Sequence, residues 1–229
     1  MNTLLDAYNE MSTEQQESLG KGGSKINTAG CHLVTVDSFM VIDGARAKIE
    51  FKNASGQSID YTGFLTNKDP SKVEAAVGRV MTTLARLCTA AGTDIKKVLS
   101  KSNDTTITYQ SGEVSAEEYP LLKGKKLYIT TNTIVEGDDK DANKVWVKQE
   151  IDTRHFFDVK KRSGLEISSD VDEGQTMDGI EAEAKNTFDI HYKHTTNVAC
   201  QAKLAQLTGA KPMVNQAAAS TEDISDDDI

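Results

Sequence analysis

The sequence predicts a mainly β fold with helices, a small barrel of five strands with one helix between the third and fourth, plus extensions at both ends. Three observations predict it. Apolar and polar residues alternate through 31–67, one strong helical periodicity follows near 70–91, and two long alternating segments come after it at 125–135 and 144–151.

Taken in order, residues 1–24 read as an acidic arm and linker. Leu4, Leu5, Tyr8 and Met11 share a helical face, and Gly20-Lys21-Gly22-Gly23-Ser24 breaks it. That glycine run lacks the G-x-x-x-x-G-K-[ST] spacing of a phosphate loop and follows no apolar strand. The domain proper is expected over 25–162. Its first strand uses His32, Val34, Val36 and the run from Phe39 to Ile42, and Asp43-Gly44 turns the chain. In the second, Ala47, Ile49 and Phe51 face a core while Arg46, Lys48, Glu50 and Lys52 face water. After Asn53-Ala54-Ser55-Gly56, the third sets Ile59, Tyr61 and Leu65 against Thr62 and Phe64.

Asp69-Pro70 then supplies an N-cap and a proline at the first helical position, and Val73, Val77, Val80, Met81, Leu84, Leu87, Cys88 and Ala91 recur at helical spacing until Gly92. Residues 94–99 add a turn, and 104–119 read as irregular or as a short hairpin anchored by Ile107 and Tyr109. Strands four and five are Lys125–Val135 and Lys144–Ile151, the latter extending toward Val159, joined by a turn at 136–141. Val145, Val147, Gln149 and Ile151 point one way; Trp146, Lys148, Glu150 and Asp152 point the other. A boundary is expected near 163–178, followed by a partly helical extension over 163–212 and a disordered acidic tail over 213–229. Three strands, a helix and two strands is the element order of an OB-fold.

Charge is distributed unevenly. The net of −9 hides a middle section, 21–169, with 22 Lys and Arg against 19 acids, whereas the last ten residues, STEDISDDDI, hold five acids and no base. A mildly basic body with an acidic tail suits a nucleic-acid binder whose tail competes with phosphates, and equally suits a plain solubilising tail. No apolar run approaches a membrane span and no secretion signal opens the chain, so a soluble, cytoplasmic protein is expected. Three distant cysteines, Cys31, Cys88 and Cys200, suit reduced thiols.

Catalytic constellations are sparse. Cys31 and His32 are strand neighbours and point to opposite faces, His191-x-x-His194 offers two metal ligands only, and Lys144 stands where an EF-hand loop through Asp139, Asp141, Asn143 and Glu150 needs glycine. Glu50-Phe51-Lys52, with Asp43 before it and Asp37 further back, matches the E-x-K pattern of metal-dependent nucleases, a pattern that a wet strand alternating acids and bases also generates. No catalytic residue, metal or cofactor is expected.

Binding a single strand requires cations for phosphates and aromatic faces for bases. Both occur on the predicted wet faces: Arg46, Lys48 and Lys52 on strand two, Phe64 on three, Lys126 and Tyr128 on four, Trp146 and Lys148 on five, with Arg154 and Phe156 just beyond. Tyr61 and Phe51 are assigned to the core.

In element order and in its acidic C-terminus the chain resembles bacteriophage single-stranded DNA-binding proteins of the T7 type. The closing Asp226-Asp227-Asp228-Ile229 is similar to the acidic tip of bacterial single-stranded DNA-binding proteins, in which an aspartate run precedes Ile-Pro-Phe; the Pro-Phe is absent here. The resemblance implies an OB-fold that coats and protects single-stranded DNA in replication, recombination and repair. It also implies a tail that recruits replication or recombination proteins. No membrane partner is expected, and a homo-oligomer is compatible with the sequence. Two other readings are a metal-dependent nuclease built on the E-x-K strand and a protein-binding adaptor that never touches nucleic acid.

Overall fold

The computed structural model describes residues 25–109, 112–137, 141, 144–186, 188–191 and 197–208. The predicted N-terminal helix and linker and the acidic tail, with Asp226, Asp227, Asp228 and Ile229, lie outside these residues, as do Asp139, Asn143 and His194.

The chain is mainly β and its strands form one open sheet, not a closed five-stranded barrel. Strand β1 (Gly30–Ile42) pairs antiparallel with β2 (Arg46–Asn53), and β2 with β3 (Ser58–Phe64). A 3-10 turn at Pro70–Lys72, capped by Asp69, whose carboxylate accepts from the Ser71 N–H at 3.1 Å, leads into helix α1 (Val73–Ala90). Helix α2 (Ile95–Leu99) is capped by Asp94. The stretch read as irregular or as a short hairpin is a regular hairpin, β4 (Asn103–Tyr109) and β5 (Gly112–Glu118), and β5 adds to an edge of β1. Few apolar residues mark this hairpin because most of its residues are exposed. Strand β6 (Lys126–Gly137) pairs with β1, and β7 (Val145–Phe157) with β6. Then come α3 (Gly164–Ser168), α4 (Met177–Asn186), β8 (Phe188–His191), which pairs with β6, and α5 (Asn197–Thr208).

Two compact units result. Of the described residues, the first comprises those up to Ile134 together with those of Lys148–Asp189; the second comprises those of Val135–Val147 and those from Ile190 to Thr208. The first unit runs on through the 163–178 stretch. The Gly, Ser and Asp residues of that stretch build an ordered turn around the buried Glu166, which accepts from the Ser163 N–H at 2.7 Å, the Ser163 hydroxyl at 2.8 Å, the Gln175 N–H at 2.7 Å and the Thr176 N–H at 3.2 Å. Burial pushes this carboxyl up, and the donors of Ser163, Gln175 and Thr176 outweigh it, holding the group at about 2. Gly174 fits only without a side chain, because a Cβ there would lie 1.7 Å from the Lys161 carbonyl oxygen.

The core of the first unit lies between the inner sheet face and α1. Val34, Val36, Phe39, Ala47, Ile49, Phe51 and Ile59 meet Val80, Leu84, Leu87 and Cys88, with Leu122, Leu127, Ile129 and Phe156 closing it. Phe51 is core as predicted, and Tyr61 packs against it half-buried. Among the described residues no ladder joins β3 to β7. Helix α1 touches both instead: Val80 meets β3 at Gly63, and the Arg86 guanidinium donates to the Thr153 carbonyl of β7 at 3.3 Å.

Two outcomes check this account. A Cβ at Gly63 would sit 2.5 Å from Val80 and 2.6 Å from the Tyr61 hydroxyl, so Gly63→Ala should destabilise the protein by about 1–3 kcal/mol, read by thermal melting. Glu166→Gln should cost about 2 kcal/mol near neutral pH. Because the folded carboxyl is held below its ordinary 4.5, its contribution is complete above that pH and disappears as pH falls toward 2, so the melting curves of the wild type and of Glu166→Gln should converge in acid.

Candidate nucleic-acid interface

Residues directly opposite each other in antiparallel strands share a face. The strand registers therefore define rows across the outer face of the sheet, the one turned away from α1. One row runs Lys52–Thr35–Lys126 across β2, β1 and β6, and beside it Leu33 lies opposite Tyr128. Further along come Asp60–Glu50–Ser38, then Thr62–Lys48–Met40, then Phe64–Arg46–Ile42. Six of the predicted site residues, Arg46, Lys48, Lys52, Phe64, Lys126 and Tyr128, thus occupy one continuous face of the first unit. Strict alternation in β2 brings this about, since burying Ala47, Ile49 and Phe51 forces their neighbours outward.

The face is amphipathic. Phe64 is 59% exposed and Leu33 46% exposed, so rings and aliphatic groups stand among cations. Lys52 and Lys126 lie two strands apart, roughly 10 Å. Acids interrupt the cations: Glu50 and Asp60 form the middle row, Lys52 donates to Asp37 at 2.8 Å and Lys25 to Asp60 at 3.2 Å. The Asp37 hydrogen bond pushes the Lys52 ammonium up, keeping it charged. Among the described residues Arg46, Lys48 and Lys126 have no carboxylate within ion-pair distance.

The face ends at α4. Around a cleft of about 200 Å³, Ile180, Glu183 and Ala184 stand over Thr130, Asn132, Asp152 and Arg154. Asp152 is buried there, and burial raises its carboxyl while the side-chain and backbone donors of Arg154, with His155, pull it down to about 2.

The β7 predictions fare differently. Lys148 is half-buried and reaches Glu150 at 2.8 Å, and Arg154 is exposed but held by Asp152 at 2.7 Å. Phe156 corrects the sequence reading: it is 4% exposed and belongs to the core, where no base can stack on it. Ile151 also packs on the core, five residues away, an odd separation that strict alternation does not place inward twice. Trp146 belongs to the second unit, 42% exposed, with the Lys144 ammonium 5.1 Å from its ring centroid. Val147, expected to point inward, is 41% exposed.

Of the E-x-K pattern, Lys52 meets Asp37 at 2.8 Å on the face that also carries Glu50, whereas Asp43 stands apart. Asp43 sits in the β1–β2 turn with φ 53°, and Glu50 lies four residues beyond Arg46, the first paired residue after that turn, more than about 13 Å along the strand. Carboxylates so separated cannot share one ion. Cys31 and His32 do point to opposite faces, the thiol meeting the Thr130 hydroxyl at 3.4 Å and the imidazole the Thr131 hydroxyl at 3.1 Å. Burial pushes the Cys31 thiol up, opposing a nucleophilic thiolate. Among the described residues no cluster of three His, Cys, Asp or Glu could hold a metal, and no helix is long and apolar enough to cross a membrane.

Sequence reasoning did not place two features on this face: α4, read only as part of a partly helical extension, and Tyr109, read only as a hairpin anchor. The i, i+3, i+7 stripe Met177, Ile180, Ala184 was the available signal for the first. Only the β4–β5 register reveals the second. No protein-family model matches the chain, and no curated protein is significantly similar to it.

Proposed function

We propose that this protein binds single-stranded DNA without sequence preference, through the outer face of β1, β2, β3 and β6. The observation that carries the reading is the placement of Arg46, Lys48, Lys52 and Lys126 in rows with Phe64, Leu33 and Tyr128 on one open sheet face. Cations spaced along a face track a phosphate backbone, and every base offers a π-face to an exposed ring, so the combination is tolerant of sequence. The path β3-β2-β1-β6-β7, with a helix between its third and fourth strands in chain order, supports an OB-like reading in which the β4–β5 hairpin is an insertion and α1 fills the gap between the end strands.

On this reading the protein is non-enzymatic: it coats and protects single strands during replication, recombination and repair of a phage or similar replicon in the host cytoplasm. The acidic tail, with Asp226, Asp227, Asp228 and Ile229, recruits replication or recombination proteins and competes with DNA for the cations. Lys148 and Arg154 add secondary contacts.

Fluorescence anisotropy with labelled oligo(dT) over a salt series tests it. If four phosphates are neutralised, log K should fall against log salt with a slope of about −3, and Lys48→Ala or Lys126→Ala should each reduce the slope by about 0.7. Phe64→Ala should weaken binding by about 5- to 100-fold, the worth of one stacked base, with the slope unchanged. A wild-type protein that leaves oligo(dT) unbound at low salt would sink the proposal and favour the adaptor reading.

A further inference from the structure

We propose that the β4–β5 hairpin is a second segment of the strand-binding surface, with Tyr109 stacking a base beyond the sheet proper; this rests on the single-strand reading above. The registers carry the argument. Thr105–Ala116–Ile42–Arg46–Phe64 is one unbroken row over β4, β5, β1, β2 and β3, so the side chains of Ile107, Val114 and Tyr109 continue the face that holds Arg46 and Phe64.

The hairpin outruns its support. Strand β5 pairs with β1 only from Ala116 to Glu118, while its pairing with β4 continues four steps further, from Thr106–Ser115 to Tyr109–Gly112. A two-stranded ribbon is marginal in water by itself, and this one is two-faced. One side presents Asp104, Thr106, Thr108, Glu113, Ser115 and Glu117, hydroxyls and carboxylates suited to solvent and repellent to phosphate. The other presents Thr105, Ile107, Val114 and a tyrosine 40% exposed, contiguous with the buried Ile42 and Ala116 and with the Arg46 cation; the acid on this side, Glu118, lies at the β1 end, 3.6 Å from the Lys123 ammonium. Apolar and aromatic groups beside an arginine, backed by a phosphate-repelling side, fit a base whose backbone lies toward the sheet. From Phe64 the ring lies four strands across and four residues along, roughly 23 Å. One short oligonucleotide cannot engage both ends of the face.

The experiment is a length series of oligo(dT), from about 4 to 16 nucleotides and longer, titrated against wild type, Tyr109→Ala and Tyr109→Phe. Short oligonucleotides should bind all three equally. Long ones should bind Tyr109→Ala about tenfold more weakly, an equivalent of roughly 1.4 kcal/mol, while Tyr109→Phe retains wild-type affinity. Equal affinity of wild type and Tyr109→Ala at every length overturns the hairpin's role and leaves strand binding standing. Loss at every length, short ones included, overturns the extension and makes Tyr109 part of the central site. Failure of wild type to bind any length removes the underlying reading itself. Sedimentation of the same variants addresses the other occupant of an exposed edge strand: a change of oligomeric state in Tyr109→Ala would assign the hairpin to self-association and overturn the proposal.

Discussion

Everything in the first unit hangs on the two edges of β1. One edge carries β2 along residues 34–42; the other carries β6 along 30–35 and β5 along 40–42. The gap between those two partners is closed by the chain that joins them. Val36 exchanges bonds with Lys125 and Gly124 at 2.9 and 2.8 Å, and the Phe39 carbonyl accepts from Tyr119 at 2.8 Å. A bulge between Val36 and Ser38 lets one strand serve all of these, and it leaves the Ser38 hydroxyl buried without a partner. Stacking of Phe39 on Tyr119, centroids 4.7 Å apart, packs the inner side of the same junction.

That constraint separates the two faces of the sheet. Inward residues of β1, β2 and β6 must meet α1, which requires them to be apolar, and the pleat then hands the alternate positions to solvent. Function can be written on those positions at little cost to the core. The mixture found there is one of cations and rings interrupted by Asp37, Glu50 and Asp60. Helix α4 bounds the open area at Thr130, and Glu166 fixes the turn that delivers α4 to its place.

Much of the site was legible in β2 and β3 because both obey a strict period of two. Arg46, Lys48, Lys52 and Phe64 are where the alternation put them. The reading failed in β7, where Ile151 and Phe156 both join the core although an odd number of residues apart, so alternation from one assigns the other to the wrong face. It also failed to join β4 and β5 to the sheet, since a hairpin exposed on most of its surface carries few apolar residues to betray its partner.

By itself the sequence determined the kinds and order of the main elements, the helix cap at Asp69, the inner and outer positions of β2 and β3, and an acidic end on a mildly basic body. These are local properties: periodicity, capping chemistry and charge count. Tertiary structure decided which strands are neighbours, how far the outer face extends, and where it stops. Cross-strand register brought Lys126 into line with Lys52, and Tyr109 onto the face of Phe64, by pairing residues far apart in the chain. An open sheet with α1 between its end strands replaced the expected closed barrel, because Gly63 admits Val80 and Arg86 reaches the Thr153 carbonyl. Packing between distant segments settles such matters, and no window of sequence contains both partners.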